Sequence, residues 1–248
     1  MIILKSEQEL DYLRASNKIV DEVLQALGMA MRPGIRTIDL DRIAEELIRQ
    51  RGAEPAFKGY RRYPRAICVS INEEVVHGIP GPRRLRPGDI VSIDVGVRLN
   101  GYYGDGAATF PVGRIDPEVR RLLEVTKTAL HRGIDQAGFG NRLSDISHAI
   151  QSYVEANGFS VVRDFVGHGV GKDLHEEPQI PNFGEPHQGP RLKPGMVLAI
   201  EPMVNMGSFE VRILQDNWTA VTRDGKPSAH FEHSIAITAS GPEILTGG

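Results

Sequence analysis

The sequence predicts an α+β fold built from two related halves around a shared antiparallel sheet, and three observations carry that prediction. Helical and strand patterns are intermixed along the 248 residues, with antiparallel hairpins among them. The chain also repeats itself weakly at an offset of about half its length. LRPGDIVSID at 85–94 matches LKPGMVLAIE at 192–201, each a Pro-Gly turn feeding an apolar strand that ends on a carboxylate, Asp94 or Glu201. GIRTIDL from Gly34 likewise matches GNRLSDI from Gly140, pairing Arg36 with Arg142 and Asp39 with Asp145, and Gly52 and Gly158 close the helical stretches that follow. Third, Asn100-Gly101 lies between two alternating strands, the strongest short-range hairpin signal. One domain over 1–248 is expected, with halves of approximately 1–112 and 113–248.

Each element has a local cause. Ser6 and Glu9 form a capping box for a first helix whose Leu10, Leu13, Val20, Val23, Leu24 and Leu27 lie on or near one face. A second helix is expected from about Thr37 to Arg51. A third starts at Asp116-Pro117, an N-cap followed by proline at the first helical position. A fourth runs from about Ser144 to Asn157 and stops at Gly158. Strands are expected at residues 66–71, 89–97, 102–110, 161–166, 196–204, 209–214, 217–222 and 229–238.

Composition narrows the function. With 40% hydrophobic and 25% charged residues the chain reads as an ordinary globular protein. A net charge of -3 gives no reason to expect nucleic acid or an anionic membrane as partner. The lone Cys68 excludes an intrachain disulfide framework and a thiolate-rich zinc site, and fits a reducing compartment. The N-terminal apolar run is too short for a signal peptide, and no stretch is long and apolar enough to span a bilayer. A cytoplasmic protein is therefore expected.

The carboxylates carry the chemistry. A two-residue turn at Asn100-Gly101 sets Leu99 opposite Tyr102, Gly96 opposite Asp105 and Asp94 opposite Ala107. Asp94 and Asp105 then share a face as diagonal neighbours, roughly 7–8 Å apart at the backbone. Val91, Ile93 and Val95 mark the strand as substantially buried, where unpaired carboxylates are costly. Glu201 ends a second apolar strand, and Glu232 sits between Phe231 and Ile235 with few cations nearby. Carboxylates converging in this way repel one another unless cations compensate them, and two divalent ions would do so. His168 in GHGVG, His175 in LHEEP and His77 in VVHGIP each occupy a loop bounded by glycine or proline near a carboxylate strand. The remaining histidines, 131, 148, 187, 230 and 233, read as structural or surface residues. Oxygen ligands with one imidazole suit Mn, Fe(II), Co or Zn. Two such ions bridged by carboxylates characterise hydrolases that activate a shared water.

In order and spacing, VVHGIP, IDVGVRLNGYYGDGA, VGHGVGKDLHEEP, KPGMVLAIEPM and FEHSIAIT resemble the motifs of type I methionine aminopeptidases. The match covers nearly the whole chain. The resemblance implies the pita-bread fold, a pseudo-two-fold α+β domain. It implies removal of the initiator methionine from nascent proteins and peptides when the second residue is small. Carried over by motif, the metal ligands are Asp94, Asp105, His168, Glu201 and Glu232. Asp105 and Glu232 bridge the ions, Asp94 serves one metal, and His168 with Glu201 serves the other. Glu201 is also the general base, while His77 and His175 hydrogen-bond the substrate amide and stabilise the tetrahedral intermediate. Tyr60, Tyr63, Cys68 and Trp218 stand where the family places its methionine pocket. Asn72 and Ser228 stand where some relatives touch a monovalent cation. A monomer is the family's habit and is expected here, with transient ribosome association as a further expected partner.

Leu174 replaces an aromatic common in relatives, and Val76 a cysteine found in some, which bears on pocket shape and inhibitor preference. The nearest alternatives are prolidase and aminopeptidase P, which share the fold and the five ligands but usually carry an additional N-terminal domain. Type II relatives have an insertion before the last ligands, for which the stretch from His175 to Glu201 leaves no room. A non-catalytic binding module on the same fold usually lacks ligands, and all five positions here are intact.

Overall fold

The computed structural model describes residues 1–247. Helix α1, Glu7–Ala30, starts where expected: Ser6 Oγ accepts from the Glu9 amide, and Glu9 accepts from the Ser6 amide in return. Helix α2 spans Thr37–Gln50, α3 Pro117–Asp135 behind its Asp116 cap, and α4 Leu143–Ala156. The strands in chain order are β1 Glu54–Pro55, β2 Ile67–Ile71, β3 Glu74–Val76, β4 Ile90–Leu99, β5 Tyr102–Pro111, β6 Ser160–Val161, β7 Gly167–Gly169 and β8 Glu176–Ile180. They continue as β9 Val197–Ile200, β10 Met203–Asn205, β11 Val211–Ile213, β12 Ala220–Thr222, β13 Ser228–His230, β14 Glu232–Thr238 and β15 Gly241–Ile244.

A nine-stranded sheet runs β1-β4-β5-β14-β9-β7-β8, with β2 also on β4 and β15 on β14. Every pairing in it is antiparallel. Two three-stranded sheets, β13-β10-β6 and β11-β12-β3, flank it. The segments that repeat in sequence are tied down in the same way. Leu85 donates to the Ile35 carbonyl at 2.9 Å, and Leu192 to the Asn141 carbonyl at 2.8 Å. Arg84 reaches the Gly34 carbonyl, and Arg191 the Gly140 carbonyl. Asp39 and Asp145 accept from the main chain of Arg36 and Arg142 at the starts of α2 and α4.

Alternation along the strands separates core from site. Val91, Ile93, Val95 and Val97 of β4 turn toward α1 and α2 and form one core with them. Leu198, Ile200, Ile235 and Ile237 of β9 and β14 form a second core with α3 and α4. Because side chains alternate with period two, Asp94, Glu232 and their in-register neighbours occupy the opposite face. Burial of these aliphatic residues drives the sheet onto its helices, at roughly 1.5–3 kcal/mol for each fully buried side chain. The helix-facing side is packed closely at β5: a Cβ on Gly104 would lie 2.8 Å from the main chain of Asn17 in α1. Gly104→Ala is therefore expected to force α1 outward and cost about 1–3 kcal/mol in denaturant unfolding. An unchanged midpoint would show that α1 can yield at this point.

The four helices and the hairpin stand at their expected places; several strands do not. The strand expected at 161–166 is only Ser160–Val161. The run expected at 196–204 breaks at Glu201-Pro202, because proline has no amide to extend the ladder, and β10 joins a different sheet. The run expected at 229–238 breaks at Phe231, with β13 in one sheet and β14 in another. His168 is not in a loop but in the short strand β7, between β8 and β9. The strands missed altogether, β1, β3, β7, β8 and β15, have two to five residues each, too few for an alternating pattern to register.

Candidate active site

Sheet register brings the carboxylates together. In β4 and β5, Asp94 pairs with Ala107 and Gly96 with Asp105, the register that the Asn100-Gly101 turn predicts. On the far side of β5, Glu232 pairs with the same Ala107. Asp94, Ala107 and Glu232 thus form one row across three strands, and Asp105 lies two residues along on the same face. Farther across, Ser234 pairs with Ala199, and Ala199 with His168. Glu201 follows Ala199 by two residues at the end of β9, so it shares that face. All five side chains converge above the middle of the sheet.

The convergence is close. His168 Nε2 lies 3.7 Å from Asp105 Oδ2 and 3.5 Å from Glu201 Oε1. Asp105, His168 and Glu232 present ligand atoms all within 4.8 Å of one another. These three are buried, while Asp94 and Glu201 are half-buried. Among the described residues, Asp94 Oδ1, Asp105 Oδ1 and Glu232 Oε1 are buried oxygens without a hydrogen-bond donor. Leaving such an oxygen unsatisfied costs about 1–3 kcal/mol and more when it is charged. His168 Nδ1 meets the Gly169 carbonyl at 2.9 Å. A carbonyl only accepts, so Nδ1 carries the proton and the Nε2 lone pair faces the carboxylates, the tautomer of a metal-binding imidazole. Orphaned carboxylate oxygens around a free imidazole lone pair fit divalent cations of the hard or borderline class.

Electrostatics agrees. Burial raises the carboxyl pKa of Asp94 to about 7. Burial, then the neighbouring carboxylates, pushes Asp105, Glu201 and Glu232 well above the ordinary range. Because the folded-state pKa values are raised, the chelated protein binds more protons folded than unfolded. Its stability is then full at low pH and is lost as pH rises from the ordinary 3.8 through about 7. The melting temperature after chelation is expected to be lower at pH 8 than at pH 5, with divalent ions restoring it. Equal melting temperatures at the two pH values would contradict this charge balance.

One cavity of about 640 Å3, including its mouth, is lined by the five candidate metal ligands, by His77 and His175, and by Tyr60, Tyr63, Cys68 and Trp218. That is the size class of small-ligand sites. Its inner wall is apolar: Phe57, Tyr63, Cys68 and Leu174 are buried against one another. The Tyr63 hydroxyl donates toward the Ile67 and Gly78 carbonyls, which holds its ring edge-on to Trp218 at 5.0 Å. Burial and the nearby Asp94 carboxylate raise the Cys68 thiol, so it packs as a neutral group. Leu174 fills part of this wall, and Val76 packs with Val75, Val162 and Met203 in a separate apolar cluster.

Two histidines rim the cavity. His175 Nδ1 is 2.9 Å from the Tyr60 hydroxyl, and its ring centroid is 4.3 Å from that of His168. His77 has a left-handed backbone, φ 62°, unusual for a side chain of its size. Its ring stands edge-on to Phe165 and Trp218. Desolvation holds the His77 pKa down to about 4 and, with neighbouring positive charge, keeps His175 well below its ordinary value. Both imidazoles are neutral near pH 7.

Sequence reasoning missed three residues. Phe57 and Arg61 line the cavity from loop positions without a periodic signal. His230, expected as a structural or surface residue, has a buried Nε2 that lacks a hydrogen-bond partner among the described residues and lies 3.7 Å from Glu201 Oε2. A histidine two residues before Glu232 was the available signal. Asn72 and Ser228 do meet, the Ser228 amide donating to the Asn72 carbonyl. Their side chains, however, are engaged by Asp89, Ile90 and Val204.

Known proteins match the chain over nearly its full length. The chain is 59% identical over 246 residues to methionine aminopeptidase 1 of Bacillus subtilis, and 57% identical over 246 residues to a methionine aminopeptidase of Clostridium perfringens. Each alignment covers 99% of both chains. The crystal structure of a methionine aminopeptidase from Thermotoga maritima superposes with a TM-score of 0.99 at 47% identity, covering 100% of both chains. A Pyrococcus furiosus prolidase shares the fold alone, with a TM-score of 0.80 at 24% identity over 99% of this chain and 66% of its own. The mixed helices and antiparallel sheet are thus the pita-bread arrangement. The sequence model of metallopeptidase family M24 matches residues 11–239, and the chain belongs to that family.

Proposed function

We propose that this enzyme is a dinuclear methionine aminopeptidase that removes the N-terminal methionine of peptides and nascent proteins when the second residue is small. The observation that carries this reading is one cavity in which orphaned carboxylate oxygens adjoin an apolar recess closed by Tyr63, Cys68 and Leu174. The recess suits an unbranched thioether side chain. Identity of 57–59% to methionine aminopeptidases over nearly the full length supports it, against 24% for the prolidase.

In this reading a single catalytic domain, with halves 1–112 and 113–248, closes on a shared centre. Asp105 and Glu232 would hold both cations, Asp94 would hold one of them, and His168 with Glu201 would hold the other. Two ions balance four carboxylates better than one, which is the argument for the count. The oxygen-rich set with one imidazole suits Mn, Fe(II), Co or Zn. The chemistry such ions supply is a water acidified toward neutral pH and a polarised scissile carbonyl.

The chain's own groups do the rest. Glu201 takes the proton of the attacking water and delivers it to the leaving amine. With the Tyr60 hydroxyl donating to Nδ1, His175 carries its proton on Nε2 and can donate to the charge that develops on the carbonyl oxygen. His77, neutral and held against Phe165 and Trp218, orients the substrate amide. Tyr60, Tyr63, Cys68 and Trp218 enclose the methionine side chain.

The test is a paired assay with a Met-Ala-peptide and an Xaa-Pro-peptide after loading with each candidate ion. Methionine release from the first is expected, together with two ions bound per chain. Preferential cleavage before proline would move the reading to the prolidase side, and no release with any divalent ion would end it.

A further inference from the structure

Burial is inverted at the start of the chain. Ile3 and Leu4 are 53% and 49% exposed, while the cation beside them, Lys5, is 8% exposed. Lysine is almost never fully buried unless it is paired. Its Nζ meets Glu176 Oε2 at 2.5 Å, and the two side chains are 3% and 7% exposed. The pair sits in a space that only glycine leaves open: a Cβ on Gly171 would fall inside the contact radii of Glu176 Oε1 and Lys5 Cε.

Glu176 links Lys5 to the candidate site. Its other oxygen, Oε1, accepts from the amides of Lys172 at 2.8 Å and Asp173 at 3.3 Å. One carboxylate therefore gathers the turn at 171–175 on one side and Lys5 on the other. The turn ends at His175, the residue bonded to Glu176, whose imidazole stands beside His168 and Tyr60. Lys5 is itself anchored, because its amide donates to the Gly195 carbonyl at 2.7 Å and the Gly195 amide to the Ile237 carbonyl at 2.9 Å. Gly195 opens the segment that runs through β9 to Glu201. The ends of two separate elements that supply site residues are thus pinned to one residue, the 171–175 turn through the Lys5 ammonium and the β9 segment through the Lys5 amide.

We propose that Lys5 is a positioning residue for His175, acting through the Glu176 carboxylate. Without the ammonium, Glu176 is a buried charge with no cation, which is strongly destabilising in place. It relieves that cost by turning toward water, and the amides of Lys172 and Asp173 go with it. A displacement of about 1 Å at a catalytic group is enough to cost up to about a hundredfold in rate. A staple that only stabilised the fold would leave the catalytic rate of the folded enzyme unchanged.

The proposal rests on the role given to His175, and the experiment separates the two. Lys5→Met, Lys5→Met/Glu176→Gln, His175→Ala and Lys5→Met/His175→Ala are assayed as metal-loaded enzymes with a Met-Ala-peptide, well below their melting temperatures. Lys5→Met is expected to lower kcat about tenfold or more, with KM within about twofold and the bound-ion count unchanged. Lys5→Met/Glu176→Gln leaves no lone buried charge and keeps an acceptor for the two amides, so it folds even if Lys5→Met does not. It is expected to recover most of kcat. In the His175→Ala background, Lys5→Met is expected to add less than about a twofold loss, since coupled residues are not additive. A melting temperature that falls while kcat stays constant would overturn the proposal, as would independent losses in the double variant or a double-neutral pair no better than Lys5→Met. If His175→Ala alone kept full kcat, the role of His175 would fall first, and this proposal with it.

Discussion

Glu201→Gln is expected to lower kcat by about a thousandfold, which is about 4 kcal/mol of barrier, because it removes the proton acceptor while keeping the side chain's volume. Glu201→Ala removes the ligand as well, so kcat should collapse further and ion binding, followed by calorimetry, should weaken. The same substitution should have the opposite effect on the chelated fold. Glu201 is packed with Asp94, Asp105 and Glu232, and its carboxyl is pushed well above the ordinary range by burial and by Asp94. Taking one charge out of that group relieves repulsion. After chelation, Glu201→Gln is therefore expected to melt higher than the parent at pH 8, where the carboxylates are under most pressure to ionise. The difference should shrink at pH 5. A variant that keeps near-parental turnover, or one that loses turnover because the chelated protein melts lower, would contradict the assignment. The two measurements together distinguish a carboxylate kept for chemistry from one kept for structure.

The legibility of the site followed the length of the elements that carry it. Asp94 and Asp105 lie in ten-residue strands joined by a turn whose sequence fixes its geometry, so their shared face follows from the sequence alone. Glu201 and Glu232 were found by a different signal, an acidic residue at the end of an apolar run. What could not be read was why they project into the site. Each lies where the chain passes between sheets, at Pro202 and at Phe231, and a sheet switch is a long-range event with no local pattern. His168 was singled out from its glycine flanks, yet those glycines serve close strand packing rather than a loop. A Cβ on Gly167 would lie 2.4 Å from the Ala199 carbonyl oxygen. His230 was missed because the carboxylate it faces, Glu201, is distant in sequence. Lys5 was missed for the same reason, since nothing local marks a lysine near the N-terminus as buried.

His175→Ala is the second large effect expected, and it differs from Glu201 in what it spares. No carboxylate among the proposed ligands depends on His175 for a hydrogen bond; among the described residues its side-chain partner is the Tyr60 hydroxyl. Ion stoichiometry should therefore remain that of the parent, while kcat falls by about a hundred- to a thousandfold, the range for losing one donor to a developing oxyanion. KM should change little, because the donor is worth more to the tetrahedral intermediate than to the ground-state carbonyl. The pH dependence gives an independent check. His175 sits well below its ordinary pKa, first through desolvation and then through His168 and Arg61, so it stays neutral across the working range. A group that does not titrate cannot set the acid limb of the rate profile. The profile of His175→Ala should therefore be lower at every pH but unmoved along the axis. A shifted acid limb would show that His175 changes charge during turnover, and loss of one bound ion would make it a ligand. Tyr60→Phe should give a milder form of the same result, because it frees Nδ1 without removing the imidazole.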